Sequence, residues 1–173
     1  MKHIFYFLLF FSFLTCNEKQ QTTKVESKLK TDTTVLTKID ISKINYIDYG
    51  VDTKAKNTLD AWQAYNTIAV AVNGLKSANF DFFKEDNSVF IPTIKELETT
   101  IPDKINIDPI QARMLILKTK LLKLEEVINL KTTQKKEKLL VIKEVFEAFS
   151  NMTLQINKKF EKEAQSIIKP DEL

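Results

Sequence analysis

The chain has 173 residues and a mass of 20.0 kDa, with 26 basic against 23 acidic residues and a net charge of +3. That length points to one domain with a tail, and so even a balance excludes a dedicated nucleic-acid binder, whose basic residues gather in a patch or stripe. One Cys and one His exclude an intrachain disulfide framework, a thiolate zinc cluster and a multi-histidine site, while two Gly and four Pro are too few for a barrel or sandwich of tight hairpins.

Residues 1–16 read MKHIFYFLLFFSFLTC. Lys2 and His3 make a basic start, and Ile4 to Leu14 is apolar apart from Ser12. These eleven residues are too few to cross a hydrocarbon core, which takes about 20 in a helix. Their length and flanks are those of a secretory signal. Phe13-Leu14-Thr15-Cys16 resembles the lipobox of bacterial lipoprotein precursors, with Thr15 standing where Gly, Ala or Ser is commoner and Phe13 where Leu is. The resemblance implies that residues 1–15 are removed and that Cys16 carries lipid, tying the chain to a membrane of the cell envelope, with the outer membrane expected. Several acyl chains on one Cys, which the resemblance also implies, suit stable anchoring, because one chain alone binds only marginally. His3 and five of the twelve Phe would leave with the signal, so the mature chain has no imidazole and no free thiol.

Residues 17–38, with five Lys, three acids and six Thr but only four apolar side chains, cannot bury enough surface to offset their ordering entropy. They are expected to be a polar tether. The segment 39–51, IDISKINYIDYGV, alternates only in part and lacks a strand partner, so an extended arm or a helical turn is expected there.

From Asp52 onward the spacing is helical. A first helix is expected over Thr53–Lys76, capped by Asp52, with Ala61, Tyr65, Ile68, Val72 and Leu75 on one face and Leu59, Trp62 and Ala69 widening it. Gly74 offers an alternative stop at Asn73. An aromatic connector, Asn79–Asn87, follows. A second helix carries Phe90, Ile94, Leu97 and Ile101, starting or kinking near Pro92. A third begins at Asp108-Pro109-Ile110-Gln111, read as cap, first-turn proline and capping-box glutamine, and carries Ile110, Met114, Leu117, Leu121, Leu124 and Ile128, with Leu115 and Leu122 beside them. A fourth, capped by Thr132 or Thr133, runs toward Pro170 with Ile142, Val145, Phe149, Met152 and Ile156 on its stripe, and its length requires it to protrude, bend or break near Asn151-Met152-Thr153. Four such segments with short connections predict an all-α antiparallel bundle over residues 39–173.

Little in this pattern carries chemistry. Glu125-Glu126, Glu144/Glu147 and Glu161/Glu163 each have a Lys within four residues, which is the pattern of a solvated helix face. A di-metal bundle would need Glu-x-x-His motifs. The clusters Lys135-Lys136-Glu137-Lys138 and Lys158-Lys159 could touch anionic headgroups, but their interleaved acids favour plain solvation. The only Arg is Arg113, so bidentate clamping of phosphate is hardly available. No Gly-rich phosphate loop and no nucleophile–base pair is present, so no enzyme, no cofactor and no metal is expected. The aromatic group of Phe80, Phe82, Phe83 and Trp62, with Tyr46, Tyr49 and Tyr65 near it, is the candidate partner-binding patch, set against a role as packing plugs between helices.

The Lys-Thr-rich stretch after Cys16, the Phe80-Asp81-Phe82-Phe83 segment and Phe149-Ser150-Asn151 with Gln155-Ile156-Asn157-Lys158-Lys159 are similar to small helical lipoproteins of unknown function from the Bacteroidetes. That resemblance implies no catalytic residues. The expectation is a membrane-tethered binding, scaffold or structural module with a protein partner. The alternatives are a carrier of a lipid or small hydrophobe between helices, and an inhibitor or immunity-type protein with one partner.

Overall fold

Two long helices organise the chain: α5 (Asp108–Asn129) and α6 (Lys135–Ala164), joined by Leu130–Gln134. So short a connection between helices packed along each other makes them antiparallel neighbours. The computed structural model describes residues 35–165, all within one compact unit. The signal-like segment, Cys16 and most of the polar stretch lie outside the described residues. Among those described, the fold is all-α with no strand. Four shorter helices complete it: α1 (Lys38–Ile41), α2 (Thr53–Asp60), α3 (Gln63–Leu75) and α4 (Phe90–Thr99). Helices α2 and α3 pack on α6, and α4 lies against α3 and α5. No helix here is long and apolar enough to cross a membrane.

The stripes face inward as their spacing requires. Ile110, Met114, Leu117, Leu121 and Leu124 are buried on α5, and Ile142, Val145, Met152, Ile156 and Phe160 on α6. Val127 rather than Ile128 ends the α5 stripe, and Leu115 and Leu122 are exposed. Helix α6 is unbroken through Asn151–Thr153. Its 30 residues span roughly 45 Å at 1.5 Å each.

Among the described residues six helices stand where four were expected: α1 is a short turn in the arm, and the first expected helix is two. It breaks at Ala61-Trp62: Ala61 is exposed while Trp62 turns inward to 1% exposure. The Asn66 amide donates to the carbonyls of Leu59 and Asp60 at 3.1 and 3.0 Å, satisfying the freed end of α2.

The expected helix boundaries also need correction. Asp108 is not a cap. It lies inside α5, whose N-cap is Ile107, and Gln111 donates to Asn106 Oδ1 at 2.6 Å instead of closing a capping box. Neither Thr132 nor Thr133 caps α6; Gln134 holds that place without a side-chain bond, and Thr133 is buried. Pro92 sits third in α4, still in the first turn, where its missing N–H has no intrahelical partner to lose.

Gly74 does not stop α3. The Asn79 N–H donates to Gly74 O at 3.1 Å and the Ala78 N–H to Leu75 O at 2.9 Å, which is the Schellman pattern. It puts the left-handed residue at Ala78, with φ 60°. A Cβ at Gly74 would meet Asn79 Cβ at 3.7 Å, an ordinary contact. The glycine and the alanine are thus each at the other's better position. Gly74→Ala is expected to gain about 1 kcal/mol from helix propensity. Ala78→Gly should gain a similar amount, about 1 kcal/mol, from relieved left-handed strain. Urea melts of the two single variants test both signs.

The segment before α2 is an arm that opens on a helical turn, and that turn starts at Thr37 and Lys38, inside the stretch expected to be tether. Thr37 and Asp40 form a reciprocal capping box on α1, Leu36 packs on the core, and Ile41 is buried. The Lys135 ammonium, 2.6 Å from Asp40, and the Thr37 hydroxyl hold that carboxyl at about 2, against an ordinary 3.8. Because the folded value lies below the unfolded one, this contribution is present above pH 3.8 and is lost as pH falls toward about 2. NMR titration should show α1 releasing in that window, and Lys135→Met should shrink the acid-sensitive step and leave the part due to Thr37.

Candidate functional site

Phe80–Phe83 enters from the Ala78 turn and closes the end of α3. Asn79 Oδ1 accepts from the Asp81 N–H at 2.9 Å, starting the short 3-10 turn Asp81–Phe83. Asn129, near the end of α5, donates to Phe83 O at 2.9 Å and accepts from the Glu85 N–H at 3.0 Å. The connector is therefore bolted to the far helix of the hairpin. Phe82 meets Phe83 and Phe90 edge-on at 5.3 and 5.5 Å, a favoured aromatic geometry.

This arrangement corrects the candidate patch. Phe83 is 0% exposed and Trp62 1%, so neither ring is presented to a partner. Both fill gaps at helix junctions, where the rings exclude most water. Phe80 and Phe82 are half-buried, packed against the core with an outer face left over. Trp62 stands apart from the connector, stacked on Tyr65 at 5.6 Å, which stacks in turn on Phe149 of α6 at 5.4 Å. Burial raises the Tyr65 hydroxyl pKa, and its bond with Thr153 at 3.2 Å offsets part of that rise.

What remains accessible is a cleft of about 440 Å³ between α3 and the connector. Val70, Ala71, Gly74 and Phe82 give it a mainly apolar lining, and Gln63 and Asn79 bring amides to it. Pockets of this size, apolar with a few polar groups, suit a ligand or an inserted side chain. Val70 is 74% exposed, the most exposed large apolar side chain among the described residues. Sequence reasoning passed over it, although it falls off the Tyr65–Ile68–Val72–Leu75 stripe, a sign that it points away from the core. Two further clefts, one beside Glu98, Asp108 and Met114 and one beneath Tyr49 and Val51, are more polar.

The carboxylates behave as surface partners. Glu144 meets Lys120 at 3.1 Å, Glu147 meets Lys143 at 3.6 Å and Glu163 meets Lys159 at 2.8 Å. Among the described residues no three of His, Cys, Asp and Glu come together as a metal site.

Sequence reasoning also missed the role of Ser150 and Asn157. The Ser150 hydroxyl donates to Ile47 O at 2.6 Å and accepts from the Tyr49 N–H at 2.8 Å. Asn157, two turns on, donates to Gly50 O at 2.8 Å and accepts from the Asp52 N–H at 2.9 Å. Together they clamp the main chain of the arm onto α6, and Tyr46 stacks on Phe146 at 4.8 Å beside them. The available signal was two polar residues seven apart, Ser150 and Asn157, each directly following an apolar residue of the stripe, Phe149 and Ile156.

Comparison with protein families, with curated proteins and with solved structures gave no match.

Proposed function

We propose that this chain is a lipid-anchored module of the bacterial cell envelope that acts by contact rather than catalysis, with the cleft between α3 and the aromatic connector as its docking surface. The observation that carries the contact reading is that cleft: an apolar lining of Val70, Ala71 and Phe82, open to solvent, with amides at hand. Its openness favours an inserted side chain of a protein partner over a carried lipid, since small-ligand sites bury most of the ligand. The anchor reading rests on the placement of Cys16 directly after the apolar run.

Val70→Asp is the discriminating variant. At 74% exposure the change touches no core contact, and Val and Asp have similar helix propensities. Cross-linked pull-downs from envelope fractions should recover one stoichiometric protein with the wild type, and recovery should fall roughly tenfold or more with Val70→Asp, as for a residue central to an interface. Equal recovery by both would remove the cleft from the function. Lipid co-purified with the wild type in native mass spectrometry would favour the carrier reading instead.

A further inference from the structure

Large apolar side chains are unusually exposed in the arm. Ile47 is 69% exposed, Tyr49 36% and Val51 44%. Standing at every second residue, they lie within about 14 Å of chain. They therefore form one cluster rather than scattered single exposures. The clamp explains why they stay outside. Ser150 and Asn157 hold the arm by its main chain, and Ile44 and Tyr46 supply its packing against the core, so the remaining side chains are left over.

Charge around this cluster leans positive. Two of the arm's acids are neutralised in ion pairs, Asp40 with Lys135 at 2.6 Å and Asp48 with Lys76 at 2.7 Å, while Asp52 caps α2 and keeps its charge. Lys43 and Lys54 flank the cluster, and Lys38 precedes it; none of the three makes an ion pair among the described residues, and all are exposed. Lysines beside apolar residues and a tyrosine are the composition that settles at an anionic membrane surface, with the aromatic ring at headgroup level and the ammonium groups on lipid phosphates. A protein partner is the weaker fit here, because only nineteen peptide bonds separate Val35 from Cys16, the expected point of anchorage.

We infer that the arm, through Ile47, Tyr49 and Val51 flanked by Lys43 and Lys54, docks the bundle onto an anionic bilayer surface. The inference rests on the membrane-anchored reading above. Docking by this edge holds the bundle down by a second point besides its lipid. The two contacts differ in kind: lipid insertion is insensitive to salt, whereas lysine–phosphate attraction is screened as the Debye length shrinks to about 3 Å at 1 M salt.

The full chain is reconstituted in phosphatidylcholine vesicles with and without phosphatidylglycerol, and amide hydrogen exchange is followed over residues 43–52 on whatever protein floats with the vesicles. Exchange there should slow on the anionic vesicles only, and the slowing should vanish in 1 M salt. Reversal of each lysine, Lys43→Glu and Lys54→Glu, changes the charge by two and should weaken docking roughly thirtyfold. Ile47→Asp with Val51→Asp should abolish protection while leaving exchange in α5 and α6 unchanged, which separates docking from unfolding. Equal exchange on neutral and anionic vesicles overturns the inference, as does protection that survives both salt and lysine reversal. Incorporation of labelled fatty acid by the wild type but not by Cys16→Ala reports the anchor separately. An unlabelled chain that still shows salt-sensitive protection would sink the anchor and keep the docking edge.

Discussion

Phe83→Ala is expected to destabilise the bundle by about 3–5 kcal/mol, the range for deleting a buried aromatic ring. Its ring is 0% exposed and meets both Phe82 and Phe90, and its carbonyl accepts from Asn129 of α5, so the cavity left behind cannot close without moving the connector off the hairpin. Phe82→Ala, at a half-buried ring, should cost less, about 1–2 kcal/mol. Denaturant midpoints for the two single variants check this ordering. A Phe83→Ala variant as stable as wild type would mean that the ring is not a core plug. The contrast also fixes how the docking surface can be probed. Removing Phe82 and Phe83 together would confound lost contact with lost fold, whereas Val70→Asp alters the cleft alone.

Leu121→Ala should cost about 2–5 kcal/mol. Leu121 lies mid-way along α5 at 0% exposure, on the face that packs along α6. Cavities opened between two long helices collapse poorly, because neither can shift without disturbing the rest of its length. Leu122→Ala, one residue on and 37% exposed, is the control and should cost under about 1 kcal/mol. A Leu121→Ala loss below about 0.5 kcal/mol would turn the stripe outward and contradict the packing of the hairpin.

Helix existence and facing were legible because a core-facing stripe needs a 3.6-residue period, and that period is written in α5 and α6 in apolar side chains alone. Boundaries were less so. Asp108 and Thr133 are the right residue types for caps, but main-chain geometry placed the turns one residue away, at Ile107 and Gln134. Gly74 and Ala78 show the same limit: a glycine marks where a left-handed turn would be easy, while the Schellman bonds placed the turn at an alanine.

The candidate site was legible only in part. Aromatic composition drew attention to Phe80–Phe83, and the cleft does lie against Phe82. Composition could not separate Phe83, at 0% exposure, from a ring with a free face, because burial depends on what another segment brings, here Asn129 and Phe90.

By itself, then, the amino-acid order determined the all-α character of the described residues and their two long amphipathic helices, since those properties follow from local period. Tertiary structure alone decided that the first long helix breaks at Trp62, that the arm is clamped by Ser150 and Asn157, and which apolar side chains are left outside. Each of these outcomes depends on contacts between residues far apart in the chain, such as Ser150 with Ile47 and Asn157 with Gly50. Their free energy exists only once the helices have packed.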